Sequence, residues 1–387
     1  MTVQVEPSPD TVPADGRDER ARDERAEATV HALLLRMAGF LPDRLLAEAY
    51  GWLAAGRRLD VAQAVAFEAV SQPLQLGADE IELLRTELTR AGADSDLVVA
   101  LEELRGQRQP GPWLFVSALP TTPADATLVV RPLDLTGVPH EHLDAVDQAV
   151  VAEASAVPGV TAVWRAWRMP PNARPWHEPV RVVVVSVDDP VDSLSALTVR
   201  LHQAMATAGD TEARAEVCWA GLDAPFYQTL ARSCGALLWA NRQAVPVTTA
   251  PVFDGVDPDR GPWFTTNRPV VTDDAERDRL LTALRTAEII TWSGTWMVDV
   301  LNPERGDVVP LHLRTDGRWV WSDAVAYYLE QYGLAPDPDL VAHLSASGPA
   351  QPLDEVGLHR ALVHLLSRQF DDVAWQVPPP GRSAVTP

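Results

Sequence analysis

His312 stands in an alternating, strand-like run, with Asp299, Asp316 and Asp323 close to it in sequence. A histidine oriented by a carboxylate is how a general base is built, so these residues define one hydrolytic reading, a dispersed carboxylate and histidine site. A strand histidine beside a charged turn is more commonly half-exposed and structural, and that is the expectation for His312. The pair His140 and His142 in "PHEHL" is spaced i, i+2 at a helix start, which does not reproduce a metal-site spacing, so no metal or other cofactor is expected. Cys218 and Cys234 are the only cysteines; they are too few for a disulfide framework or an all-cysteine zinc site, and both read as buried, inert thiols. No glycine-rich phosphate loop, nucleophile elbow or His-Glu-x-x-His run occurs. The chain has no lysine, which excludes Schiff-base chemistry and the lysine of a phosphate loop.

The aromatic residues carry the other candidate chemistry. Residues 314–333 read "RTDGRWVWSDAVAYYLEQYG", in a chain with only 6% aromatics. Most of this string has a structural reading. Asp316-Gly317 between alternating runs predicts a hairpin turn, since both positions tolerate positive φ. Ser322 sits where a helix N-cap belongs, Ala324, Tyr328 and Tyr332 share one helical face, and Gly333 followed by Pro336 predicts the stop. What remains is an excess of large rings. Trp319 and Trp321 share a strand face, Trp292 and Trp296 fall on neighbouring strands, and Tyr327 lies on the helix that follows. Aromatic side chains offer wide contact area at low entropic cost, so these five residues are the predicted partner-binding face.

Composition sets the partner class. The net charge is −22 and the sequence pI about 4.7, which repels nucleic-acid backbones and anionic membrane surfaces, and no arginine run suggests a local basic groove. Protein partners are therefore expected, with neither nucleic acid nor membrane. No apolar run is long enough to cross a bilayer, and the first residues lack a signal-peptide core, so a cytoplasmic protein is expected. All 32 cations are arginine and there are 33 prolines, a bias typical of a high-GC, actinobacterial type of genome.

The pattern along the chain predicts an α+β multidomain protein. Residues 1–26 read as a disordered acidic tail and 27–106 as a helical domain. In the latter, Leu45, Leu46, Ala49, Trp52 and Leu53 form a stripe closed by Gly56, and Asp60 is placed to cap the next helix. Residues 113–240 alternate strand and helix in the order β-α-β-β-α-β, beginning with a strand over 126–133, which is the order of a ferredoxin-like sandwich. Residues 241–271 read as a connecting segment. Residues 272–372 form an α+β domain with a helix capped by Thr272 and an antiparallel meander, and 373–387 is a proline-rich tail.

Within the sandwich, "VPGVTAVWRAWR", "VRVVVVSVDD", a helix and "AEVCWAGLDAPFY" follow one another. This succession resembles the C-terminal domain of the enhanced-serine-sensitivity (SseB) family, with Pro158, Val160, Pro225, Phe226 and Tyr227 at the matching positions. The resemblance covers residues 126–230 and implies a regulatory or binding module. The chain departs from the family by its extra helix "QTLARSCGALLWANR" and by lacking the usual N-terminal half. The expectation is thus a non-enzymatic interaction or regulatory protein. The alternatives are an immunity or antitoxin protein that neutralises a basic toxin, and the hydrolase with its site at His312.

Overall fold

The computed structural model describes residues 14–90, 92, 95–109, 111, 113–119, 132–169, 178–188, 193–219, 224–257, 259–346 and 353–368. The architecture is mixed α and β, with twelve α-helices and several small mixed sheets among the described residues. The chain divides into two compact units, Met1–Arg242 and Gln243–Pro387.

The first unit opens with five helices, α1 (Ala14–Met37), α2 (Asp43–Ala54), α3 (Arg58–Ser71), α4 (Ala78–Arg90) and α5 (Ser95–Glu103). Their apolar residues recur at helical spacing and are buried, as in Leu46, Ala49, Tyr50 and Leu53 of α2 and Ile81, Leu84 and Leu88 of α4. Gly56 ends α2 as expected, with φ at 73°. The predicted cap at Asp60 is not formed: α3 begins at Arg58, and Asp60 pairs instead with Arg57 at 2.9 Å. The expected disordered tail also overlaps structure, since α1 is helical from Ala14. Residues 1–13 lie outside the described residues.

The rest of the unit comprises β1 (Leu114–Val116), β2 (Leu133–Asp134), α6 (Ala145–Ser155), β3 (Val160–Met169), β4 (Val180–Val187), α7 (Leu194–Thr207), β5 (Arg214–Trp219), α8 (Phe226–Cys234) and β6 (Ala236–Ala240). The sheet runs β2-β6-β3-β4-β5, with β1 paired to β3 beyond the end of β6. β3 and β4 are antiparallel, whereas β4 and β5 are parallel. A ferredoxin-like sandwich would place its last strand beside its first, so the observed pairing departs from the expected one. Of the strand predicted over 126–133, residues 126–131 lie outside the described residues.

The near-continuous apolar run of β4 is explained by cover on both faces. Val183, Val185 and Val187 turn toward Val150 of α6 and Leu197 and Leu201 of α7. Val182 and Val184 turn the other way, into one core with Leu33, Leu53, Val65 and Leu84 of the first helices. The helices expected as a separate domain over 27–106 therefore supply the second face of the sheet. Polar groups cross this contact too. His31 of α1 lies 2.8 Å from the main-chain oxygen of Val217, and Gln228 of α8 donates to the Leu35 carbonyl at 2.9 Å.

The second unit begins inside the segment expected to be a bare connection. Residues 241–271 carry β7 (Thr248–Thr249) and a ribbon of β8 (Gly255–Asp257) with β9 (Gly261–Trp263). There follow α9 (Asp274–Thr286), β10 (Glu288–Thr291), β11 (Trp296–Val298), β12 (Asp307–Pro310), β13 (Leu313–Thr315), β14 (Trp319–Ser322), α10 (Asp323–Tyr332), α11 (Pro338–Ala346) and α12 (Glu355–Arg368). The predicted meander is split. β10, β13, β14 and β7 make one sheet, while among the described residues β11 and β12 pair only with each other. The cap of α9 is Asp273 rather than Thr272, its Oδ1 accepting from the Ala275 N–H at 2.9 Å. The cap at Ser322 forms as expected, and Gly333 takes the left-handed stop with φ at 68°.

Candidate protein-docking site

The hairpin and helix of 314–333 place their largest ring inside. Trp321 is 1% exposed, packs with Leu284, Val325 and Leu329, and donates its indole N–H to the Leu284 carbonyl at 3.1 Å. Trp319 shares that strand face, as the spacing predicted, but the face turns inward: it is half-buried against the same core, 6.2 Å from the His343 ring. Of the five predicted docking residues, these two belong to packing.

Trp292 and Trp296 are different. They are 76% and 53% exposed, respectively, the first just after β10 and the second at the start of β11. β11 alternates, so Met297 turns to the core while Trp296 and Val298 face outward, and Leu301 continues the exposed apolar series. Val298 and Leu301 are not among the predicted contact residues; the period of two through Trp296 and Val298 was the available signal for the first.

The segment that carries these side chains is held at both ends. At one end the Ser293 N–H donates to Nδ1 of His312 at 3.0 Å, and the His312 ring meets Trp292 edge-on with centroids 4.6 Å apart. At the other end Asp299 is fully buried and collects donors. Tyr327 donates to its Oδ2 at 2.9 Å, Tyr332 donates to the same oxygen, and the Leu301 N–H donates to Oδ1 at 3.0 Å. Burial alone would raise this carboxyl, but the tyrosine hydroxyls and the main-chain N–H groups prevail and hold it below the ordinary aspartate range. Burial first, and then the bond to Asp299, push the Tyr327 hydroxyl up to about 12, so it stays a donor. Arg305 sits 5.8 Å from the centre of the Tyr327 ring and 3.7 Å from Asp299. Tyr327, predicted as a contact residue, is thus a half-buried anchor.

His312 and its three sequence neighbours are not assembled as an acid-base site. Asp299 is taken by the tyrosines, Asp316 lies 2.5 Å from His343, and Asp323 accepts from Arg314 at 2.6 Å. His312 instead orients Ser293 and Trp292. Among the described residues no group of three His, Cys, Asp or Glu side chains is placed to hold a metal ion, and His140 and His142 are both exposed on a short 3-10 turn. Of the two free thiols, Cys218 is buried and Cys234 half-buried, and burial raises the latter's pKa. No helix among the described residues is long and apolar enough to cross a membrane. The chain matches no protein-family model, no curated protein and no solved structure.

Proposed function

We propose that this chain is a non-enzymatic interaction or regulatory protein, working in the cytoplasm of a high-GC bacterium. It docks a protein partner through Trp292, Trp296, Val298 and Leu301. The observation that carries the reading is the pairing of large exposed rings with a pinned main chain. A tryptophan that is 76% exposed offers contact area, and the anchors at His312 and Asp299 mean that little ordering entropy is lost on docking. With a net charge of −22, the partner best suited to this face has an apolar pocket rimmed by basic groups. The same charge favours the immunity or antitoxin version of the proposal, in which the partner is a basic toxin.

The likeness of residues 126–230 to the SseB family's C-terminal domain belongs to this proposal and suits a regulatory module. The antiparallel β3–β4 pair and the two helices α6 and α7 on one face agree with a ferredoxin-like origin; the parallel β4–β5 pair does not.

The test is mild affinity purification from the native host of the wild-type chain and of a W292A/W296A double variant. The partner is then purified and its binary affinity measured by calorimetry. The proposal expects a stoichiometric partner that binds the wild type and is lost by the variant at unchanged circular dichroism. A partner held equally well by both would remove the ribbon from the function.

A further inference from the structure

The first unit contains a cleft of about 620 Å³ between the end of α1, the start of α4, the segment before β1 and the start of α8. That volume lies within the range of small-molecule sites. Its walls are aromatic, with Phe40, Trp113, Phe226 and Tyr227, and two guanidinium groups, Arg36 and Arg108, converge on it.

The aromatic side is firmly built. The Trp113 indole N–H donates to the Gly39 carbonyl at 2.9 Å. Gly39 has φ at 79°, and a Cβ there would fall 2.5 Å from the Trp113 nitrogen and 2.8 Å from the Tyr227 ring. Only glycine allows both rings so close to the main chain. Arg168 fixes them further: its guanidinium lies 4.7 Å from the centre of the Trp113 ring and donates to the Tyr227 hydroxyl at 3.0 Å. Phe226, by contrast, is 59% exposed at the opening of α8.

The two arginines have different jobs. Arg108 has both of its Nη groups fully engaged. It donates to both oxygens of Glu80 at 2.9 and 3.1 Å and to the main-chain oxygens of Gln75 and Arg36 at 2.9 and 3.3 Å. Its guanidinium also lies 4.7 Å from the centre of the Phe40 ring. Arg36 bonds Glu80 through Nε at 3.1 Å, the one hydrogen bond of its guanidinium among the described residues, and its side chain stays 38% exposed. It therefore has terminal N–H groups to offer a ligand. Glu80 offsets one of the two cations, and Asp79, also on the lining, disfavours a second negative charge on whatever enters.

We infer that this cleft binds a small apolar monoanion, a carboxylate on an aromatic or branched hydrocarbon body. The body lies among Trp113, Tyr227 and Phe226, and the carboxylate meets the Nη groups of Arg36. The site is on the first unit and is independent of the tryptophan ribbon.

The test uses the full chain and calorimetric titration with benzoate, indole-3-carboxylate, 1-naphthoate and 4-methylpentanoate, with indole-3-carboxamide as the uncharged control. Saturable binding of at least one carboxylate, weaker binding of the amide and loss of about tenfold in affinity in Arg36→Gln are expected, the last being one charge-assisted hydrogen bond. Phe226→Ala, at an exposed position that spares the fold, should weaken the aromatic carboxylates by several-fold, at about the value of a lost ring contact. W292A should leave every affinity unchanged. Absence of saturable binding by all four carboxylates up to about 5 mM, a range that covers weak small-ligand affinities, overturns the inference. So does equal binding of wild type and Arg36→Gln.

Discussion

The hydroxyl of Tyr327 donates to Oδ2 of Asp299 at 2.9 Å, joining helix α10 to the base of the ribbon that carries Trp296 and Val298. A buried carboxylate with several donors acts as a hub, so its loss and the loss of one donor should differ in cost. Tyr327→Phe removes one hydrogen bond of several and should cost about 1 kcal/mol. Asp299→Ala leaves two hydroxyls and the nearby amides without an acceptor and should cost about 3 kcal/mol or more. Urea unfolding of both variants measures the difference, and equal costs would contradict the hub.

The tryptophans should separate by position. Trp292→Ala removes an exposed ring and should shift stability by less than about 0.5 kcal/mol. Trp321→Ala empties a core site and strands the Leu284 carbonyl, for a cost of about 3–5 kcal/mol. Acrylamide quenching gives a second readout: the accessible fraction of fluorescence should fall on loss of Trp292 and rise on loss of Trp321.

Stability should peak close to pH 6.5. Burial brings His31 and His202 down to about 4 from 6.5, and for His202 the geometry requires the neutral form. Nε2 of His202 accepts from the Ala215 N–H at 2.9 Å, and His31 faces the Val217 carbonyl. Below 6.5 the unfolded chain takes up these protons and the folded chain does not, so stability falls as pH drops toward 4. Burial raises Glu216 to about 8 from 4.5, beside Tyr50 and Gln228. There the folded chain holds a proton that the unfolded chain has released, so its contribution declines between pH 4.5 and 8 and is lost above. The two histidines outweigh it on the acid side, and it acts alone on the alkaline side. Melting temperatures across pH should show both limbs, and Glu216→Gln should flatten the alkaline limb while steepening the acid one between pH 4.5 and 6.5.

Arg168 is buried and donates to Asp43 at 2.9 Å, tying the start of α2 to β3. Asp43→Ala leaves a guanidinium buried with one partner fewer and should cost about 3–5 kcal/mol. Adding Arg168→Met removes the orphaned charge and should recover much of that loss. A double variant no better than the single one would mean that the stranded guanidinium is not what destabilises Asp43→Ala.

The local grammar of α10 was plain in the sequence. Ser322, Gly333 and the i, i+4 run of Ala324, Tyr328 and Tyr332 each act on neighbours within a few residues, so composition and spacing suffice to place them. Asp316-Gly317 likewise marks its turn, although only Gly317 takes positive φ, at 88°, and Thr315 pairs with Val320 across a longer loop. The excess over local need singled out Trp292 and Trp296, which are exposed, while the equally outward Val298 and the exposed Leu301 drew no notice because aliphatic side chains there are ordinary.

The sequence by itself determined most of the longer helices and strands and which side of each is apolar, because those properties are short-range, while caps such as those of α3 and α9 fell a residue or two away from the expected one. Only the tertiary structure decided what covers each apolar side. The near-continuous apolar run of β4 says that both faces are buried, but nothing local says that α1 to α5 supply one cover, or that β5 joins β4 in parallel. The same holds for the rings. Trp321 and Trp292 look alike in a list of residues; Trp321 is enclosed by Leu284 of α9, distant along the chain, whereas Trp292 meets His312 and stays in water. Burial is set by contacts between segments far apart in sequence, and single-residue chemistry carries no record of them.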